Sequence, residues 1–199
     1  MPLAVTMWLD CRSPYSYLAL EPALALERDF DVALAIKPFT LEIGGALNLA
    51  DPAAVARGMR KIKYLYMDVR RFARPRGLTI LGPRKVFDGA LAHLGLLVAG
   101  GHGRGRDYLA AIYPLFFERR IDIENADEIA GVLSGIGVDP AGLAAARDGD
   151  GPERLAALDA EAEGQGVFGV PTFAVDGELF WGHDRVELLR GRLAEKAPR

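Results

Sequence analysis

Residues 10–19 read DCRSPYSYLA and mark the junction between two predicted elements. The preceding residues 3–9, LAVTMWL, form an apolar run with the length and composition of a buried strand. Ser13 and Pro14 then begin a predicted helix that extends to about residue 28, because serine is a favoured N-cap and proline suits the first helical position. This stretch therefore predicts a strand that passes directly into a helix.

A second strand and a long helical block follow. Residues 30–40 alternate between apolar and other side chains and predict a strand that stops near Pro38, so that strand, helix and strand form a βαβ unit. Residues 41–165 show helical spacing of apolar positions, and their first long helix is predicted to start at Asp51-Pro52. The block is too long for one crossover connection, so we interpret it as an all-helical insertion.

The carboxyl-terminal part returns to strands. Two apolar runs flank Asp176-Gly177, a strong hairpin signal, and Asp184 is predicted to cap a final helix. The order β-α-β, helices, β-β-α predicts the α/β class and a thioredoxin-like fold with an all-helical insertion between its βαβ and ββα halves. The predicted domains are a thioredoxin-like domain of residues 1–40 and 166–199 and a helical insertion domain of residues 41–165.

Composition narrows the possible functions. The 199 residues carry a formal net charge of −3, which argues against a general nucleic-acid binder. The single cysteine, Cys11, excludes an intrachain disulfide and a dithiol redox centre, and three scattered histidines give no zinc spacing, so no metal is expected. The N-terminus does not resemble a signal peptide and no apolar run reaches membrane-spanning length, so we expect a cytoplasmic protein without a membrane partner.

The start of the first helix is open to two interpretations. The Ser13 hydroxyl is a typical helix cap. Ser13-Pro14-Tyr15-Ser16 also stands where a redox protein of the thioredoxin type carries Cys-x-x-Cys. A helix start offers free N–H groups and a positive dipole end, and a hydroxyl there can donate to a thiolate without being oxidised. On this second interpretation the protein binds and activates the thiol of another molecule.

The segment before the hairpin is also open to two interpretations. Val170-Pro171 is either an ordinary trans proline at a strand edge or a cis proline beside backbone groups that pair with a peptide-like ligand. Asp184 and Arg185 stand at the predicted start of the last helix, where an anion could bind and Asp184 could hold an ammonium group. Taken singly, each position favours the structural interpretation.

Together, SPYSYLA (13–19) and GVFGVPTFAVDGELFWGHDR (166–185) resemble the kappa-class glutathione transferases, and within them the 2-hydroxychromene-2-carboxylate isomerases of the DsbA-like thioredoxin group. The resemblance covers essentially the whole chain. It implies a thioredoxin fold with a helical insertion, usually as a homodimer, that binds reduced glutathione. The implied function is glutathione-dependent isomerisation of 2-hydroxychromene-2-carboxylate-type aromatic acids in aromatic hydrocarbon catabolism.

The resemblance also implies roles for individual residues. Ser13 would be catalytic, because its hydroxyl would bond the glutathione sulfur and favour the thiolate. Val170, before a cis Pro171, would pair with the glutathione backbone. The γ-glutamyl end would be held by Trp181, Gly182, His183, Asp184 and Arg185.

The organic substrate is less well defined by the sequence. Its carboxylate needs a cation, for which the candidates are Lys61, Lys63, Arg84 and Lys85. Asn48 is a possible counterpart of an asparagine loop that family members carry, whereas residues 81–90, LGPRKVFDGA, lack the second asparagine that is common there. The glutathione cofactor is therefore better supported than the identity of the acid.

Alternatives remain at this level. A kappa-type transferase acting on other electrophiles and a non-catalytic module that binds peptides or thiols both fit the motifs. A disulfide oxidoreductase is nearly excluded, because positions 13 and 16 are serines. Cys11 is either a small buried residue at the end of a strand or a site for a mixed disulfide with glutathione.

Overall fold

The described part of the chain forms a sheet of four strands in the order β2-β1-β3-β4. This computed structural model describes residues 1–42 and 52–197, so the predictions for Asn48 and Asp51 lie outside the described residues. β2 runs parallel to β1, whereas β1–β3 and β3–β4 are antiparallel. The strands are β1 (Leu3–Leu9), β2 (Val32–Pro38), β3 (Thr172–Val175) and β4 (Glu178–Trp181).

Helices cover the sheet and fill the middle of the chain. They are α1 (Pro14–Asp29), α2 (Pro52–Ala73), α3 (Ala90–Gly101), α4 (Gly105–Phe117), α5 (Ala126–Gly135), α6 (Ala141–Asp148), α7 (Gly151–Gly164) and α8 (Val186–Lys196). Short 3-10 turns occupy residues 74–76 and 183–185. None of these helices in the described part of the chain is long and apolar enough to cross a membrane. The predicted α/β order of βαβ, helices and ββα is confirmed.

The junction between β1 and α1 forms as its sequence predicts. The Ser13 side chain caps α1 by accepting a hydrogen bond from the Ser16 N–H, and Pro14 takes the first helical position. Met7 and Trp8 point to opposite faces of β1, yet both are fully buried. Both faces are therefore covered at the end of this strand, which explains why its last three residues, Met7–Leu9, are all apolar rather than alternating.

One cluster of buried apolar side chains runs from the sheet into the helical block. Val5 of β1, Leu18 of α1 and the aromatic residues Tyr113 and Phe117 of α4 belong to it. Tyr17 of α1 stacks on Tyr113 with 5.0 Å between the ring centroids. This packing fixes the N-terminal half of α1, and with it Ser13, against the helical block.

The hairpin of β3 and β4 is confirmed, whereas the predicted cap of the last helix is wrong. Asp176 and Gly177 both have positive φ values, 49° and 77°, as a tight type I′ hairpin turn requires. Asp184 does not cap α8, because α8 begins at Val186 and Asp184 lies within the preceding 3-10 turn. Its carboxylate instead accepts a hydrogen bond from Arg185 Nη1 at 2.7 Å.

Candidate functional site

An apolar cavity of about 450 Å³ lies beside the start of α1. We call it the apolar cavity. Ser13 and Tyr15 contribute from α1 and its cap, Val170 from the loop before β3, and Trp181 from the end of β4. The two ends of the chain therefore meet at this cavity. Side chains of α2 and of the segment before α3 complete its walls: Ile62, Leu65, Tyr66, Val86 and Phe87.

A second cavity of about 320 Å³ adjoins the first and shares Tyr15, Val170 and Trp181 with it. We call it the charged cavity, because ionisable side chains line much of it. Its further lining residues include Asp68, Gly182, His183, Asp184 and Arg185. The predicted site residues of both chain ends are thus brought together in two neighbouring spaces.

Ser13 is 6% exposed and opens onto the apolar cavity. Its Oγ accepts the Ser16 N–H at 3.2 Å, and its own N–H donates to the Asp10 carbonyl at 2.9 Å. The cap uses a lone pair of the hydroxyl oxygen, and no acceptor within the described ranges takes the hydroxyl hydrogen. The same side chain can therefore cap the helix and donate into the cavity, so the two interpretations of Ser13 do not exclude each other.

The loop before β3 presents backbone groups to both cavities. The peptide bond between Val170 and Pro171 is cis, as the second of the two alternatives for this segment predicts, and not trans. The Pro171 carbonyl accepts a hydrogen bond from the Gly182 N–H at 2.8 Å, and the Thr172 hydroxyl donates one to the Gly169 carbonyl at 2.6 Å. In contrast, no residue of the described chain bonds to the backbone N–H or C=O of Val170. These two groups are available to an extended ligand.

Trp181 forms the boundary between the two cavities. Its side chain is 53% exposed and packs edge-to-face on Phe168, with 4.7 Å between ring centroids. Gly169 permits this position, since a Cβ added there would stand 2.8 Å from Trp181 Nε1. A side chain at residue 169 would therefore displace the indole.

An aromatic pair forms one wall of the charged cavity. The ring of His183 stacks on Tyr15 with a centroid distance of 4.9 Å, and the Tyr15 hydroxyl donates to Asp68 Oδ2 at 2.9 Å. Burial lowers the pKa of His183, and burial together with the bond to Asp68 raises the pKa of Tyr15. Both rings are therefore neutral near pH 7.

The charges of this cavity come from Asp68, Asp184 and Arg185. Asp184 and Arg185 form an ion pair at 2.7 Å, and Asp68 also accepts a bond from Arg71 at 3.2 Å. Two carboxylates and a guanidinium around one space can bind an ammonium and a carboxylate together. The arrangement fits the amino-acid end of a ligand.

The four cations predicted for an organic acid divide into two groups. Lys85 lines the apolar cavity and also a neighbouring space of about 510 Å³, which we call the basic cavity. Arg84 lines the basic cavity and has no ion-pair or hydrogen-bond partner among residues 1–42 and 52–197, whereas Lys85 pairs with Glu124 at 2.5 Å. Lys61 and Lys63 are exposed and line none of these three cavities.

Asp68 and Arg12 line the site, but neither carried a signal in the sequence. Asp68 is 53 residues from Tyr15, so only the fold reveals that they bond. Arg12 lines the apolar cavity and forms a buried ion pair with Asp10 at 2.6 Å. An isolated Asp or Arg in a sequence is normally exposed, and nothing in the pattern of residues 10–12 indicates a buried pair.

Cys11 is 1% exposed, and its backbone N–H donates to Nε2 of the fully buried His93 at 3.1 Å. Of the two interpretations of this residue, the structure favours the buried structural one. The mixed disulfide would require the Cys11 thiol to reach solvent.

Comparison with known proteins agrees with this architecture. The family model of the DSBA-like thioredoxin domain matches residues 4–194. Two curated relatives are named 2-hydroxychromene-2-carboxylate isomerase. The one from Sphingobium xenophagum is 26% identical over 197 residues, covering 98% of this chain and 100% of the relative. The one from Pseudomonas putida is 24% identical over 207 residues, covering 98% of this chain and 97% of the relative.

A solved structure of selenomethionine 2-hydroxychromene-2-carboxylate isomerase is similar in fold. The TM-score is 0.77 at 23% identity, and the match covers 97% of this chain and 95% of that one. The predicted thioredoxin-like fold with its helical block is therefore confirmed, as is the predicted resemblance to this group of proteins.

Proposed function

The chain belongs to the family of DSBA-like thioredoxin domains, and from that premise we propose that it is a glutathione-dependent isomerase of 2-hydroxychromene-2-carboxylate-type aromatic acids. Both curated relatives are named as isomerases of this acid, which supports the reaction class. The absence of cysteine at positions 13 and 16 separates this chain from dithiol oxidoreductases of the same fold.

The observation that carries the proposal is the meeting of Ser13 and Val170 at one cavity. Ser13 offers a hydroxyl hydrogen at the positive end of the α1 dipole, and Val170 offers a backbone N–H and C=O that no other described residue binds. A helix start of this kind favours a thiolate over a thiol. A cysteinyl peptide that pairs with Val170 would present its sulfur to the same cavity that Ser13 lines.

The charged cavity fits the γ-glutamyl end of glutathione. The γ-glutamyl end carries one ammonium and one carboxylate, and the cavity provides Asp68 and Asp184 for the first and Arg185 for the second. Trp181, Gly182 and His183 would form the surrounding wall. The residues present therefore suit the γ-glutamyl end of glutathione in charge.

When bound, glutathione supplies a thiolate that adds reversibly to a conjugated double bond of the acid, so that the bond can rotate before the thiolate leaves again. Ser13 would hold the sulfur in its charged form by donating a hydrogen bond. The apolar walls of Ile62, Val86 and Phe87 would exclude water from the reacting atoms and orient the aromatic ring. The contribution of the protein would thus be positioning and electrostatic stabilisation.

The acid would lie in the apolar cavity with its carboxylate toward the basic cavity. Lys85 borders both spaces, and Arg84 is a cation without a counter-ion among the residues described. An aromatic acid longer than one ring could span the boundary between them. We assign the carboxylate to Arg84 and Lys85 rather than to Lys61.

The experiment that tests the proposal is a glutathione titration followed by thiolate ultraviolet absorbance across pH. Saturable binding with a thiol pKa below its free value of about 8.5 is expected, followed by turnover of 2-hydroxychromene-2-carboxylate. Binding with turnover of other electrophiles only would point to the kappa-type transferase. If no thiolate forms and no binding saturates, the enzyme assignment is lost and a peptide-binding module becomes the better explanation.

A further inference from the structure

We propose that Arg12 is a positioning residue that holds two walls of the apolar cavity in place, and that residue 89 is glycine to leave room for it. The proposal rests on the proposed function only where it assigns the apolar cavity to the organic acid. It follows from the hydrogen bonds of one buried side chain.

The Arg12 guanidinium joins three separate segments of the chain. Its Nε and Nη2 donate hydrogen bonds to the Asp10 carboxylate, with distances from 2.6 to 3.2 Å. Its Nη1 donates to the Phe87 carbonyl at 2.9 Å, and its Nη2 donates to the Leu41 carbonyl at 2.8 Å. Leu41 and Phe87 both line the apolar cavity. Arg12, at the β1–α1 junction, therefore fixes the positions of Leu41 in the segment after β2 and of Phe87 in the segment before α3.

Asp10 completes the connection from the other side. Its Oδ2 accepts the Leu41 N–H at 3.0 Å and its Oδ1 accepts the Arg12 N–H at 2.7 Å. The Asp10 and Arg12 side chains are 0% and 8% exposed, so water does not compete for these bonds. Leu41 is held by both its N–H and its C=O. A lysine could keep the charge of Arg12, but it lacks the planar fork that reaches three acceptors at once.

Gly89, just before α3, marks the space that Arg12 needs. A Cβ added at residue 89 would stand 2.8 Å from Arg12 Nε, 3.2 Å from its Cδ and 3.3 Å from its Cζ. Gly89 has φ −90° and ψ −9°, a backbone conformation that alanine also adopts. The need for glycine therefore comes from the Arg12 side chain and not from the backbone. An alanine would push the guanidinium away from its acceptors.

Ser13 depends on other bonds and should remain in place. Its backbone N–H is bound to the Asp10 carbonyl and its Oγ to the Ser16 N–H. Neither bond involves the Arg12 side chain. A displaced Arg12 should therefore weaken the binding of an aromatic acid and leave the binding of glutathione unchanged.

The test compares Gly89→Ala with Gly100→Ala, a matched change in α3 where an added Cβ meets no atom within 4 Å. Arg12→Lys is the second variant. The probe is 1-anilinonaphthalene-8-sulfonate, an aromatic anion followed by its fluorescence, and NMR measures hydrogen exchange of the Leu41 amide. Both measurements work without turnover, so they stay informative if the proposed reaction is wrong.

We expect Gly89→Ala and Arg12→Lys to weaken probe binding about tenfold, because the probe would lose part of its apolar contact with Leu41 and Phe87. The Leu41 amide should exchange faster in both, and Gly100→Ala should behave as the wild type. In the isomerase assay the KM for the acid should rise while the KM for glutathione stays constant. The proposal is overturned if either folded variant keeps wild-type probe affinity, or if glutathione and probe affinities fall together.

Discussion

Replacing Ser13 by alanine separates the two roles that its hydroxyl can play. The variant loses the bond that Oγ accepts from the Ser16 N–H at 3.2 Å and the hydrogen that Oγ can donate into the apolar cavity. Loss of a helix cap costs about 1 kcal/mol of unfolding free energy, which lowers the Tm of a chain of this size by about 2–4 °C. The fold should therefore survive.

The effect on a bound thiol should be larger than the effect on stability. A hydrogen bond to a charged group contributes about 1.5–3 kcal/mol, and 1.36 kcal/mol corresponds to about one pKa unit. The thiol pKa of bound glutathione should thus rise by about 1–2 units in Ser13→Ala. Thiolate absorbance measured across pH on the glutathione-saturated protein gives this value directly.

Two further variants serve as controls. Ser134→Ala removes an exposed serine hydroxyl from α5 and should change neither the thiol pKa nor turnover. Ser13→Thr keeps a hydroxyl that can cap the helix, and it should retain most of the lowered pKa. If Ser13→Ala loses about 1 kcal/mol of stability yet keeps the wild-type thiol pKa and turnover, Ser13 is a helix cap alone and our reasoning is refuted.

Three other expectations follow from buried groups. A bulky thiol reagent should leave Cys11 unmodified in the native protein and label it once the protein is unfolded. Rapid labelling of the native protein would instead support Cys11 as a site for a mixed disulfide with glutathione. Burial alone would raise the pKa of Asp10, but the charge and hydrogen bond of the buried His93, followed by those of Arg12, hold it well below its ordinary value of 3.8. This carboxylate therefore stabilises the fold above pH 3.8, and the gain is lost as pH falls from there through the lowered pKa. Asp10→Asn leaves Arg12 buried without its counter-charge and should cost about 3–5 kcal/mol in urea unfolding at pH 7, whereas a loss under about 1 kcal/mol would contradict a buried pair. Gly169→Ala should displace Trp181, seen as a shift of its fluorescence, and weaken glutathione binding; an unchanged spectrum would show that the loop makes room.

The parts of the molecule that the sequence predicted correctly are those set by near neighbours. Ser13-Pro14 starts a helix and Asp176-Gly177 turns a hairpin because each outcome depends on the backbone preferences of adjacent residues. The same local reasoning was wrong at Asp184, because a 3-10 turn over residues 183–185 comes before α8 and Asp184 lies inside that turn rather than at the start of the helix.

The charged and apolar cavities depend on contacts between residues that are distant in the chain, and the sequence pattern did not indicate these contacts. The Tyr15–Asp68 bond and the Arg12 bonds to Leu41 and Phe87 join segments that only the folded chain brings together. Local patterns already made Val170, Asp184 and Arg185 candidates, and all three line the charged cavity. The resemblance to a known family added Trp181, Gly182 and His183, which line the same cavity. It gave no information on Arg12.

The strand order has a consequence for how the protein is made. β1 pairs with β3, so Met7 lies opposite Phe173 although synthesis separates them by most of the chain. The ribosome therefore releases the helical block before the central strand gains its second neighbour, and contacts of such long range form slowly. Until β3 and β4 arrive, Ser13 has no Val170 or Trp181 facing it. A nascent chain would therefore assemble the two cavities last, when β3 and β4 join the sheet.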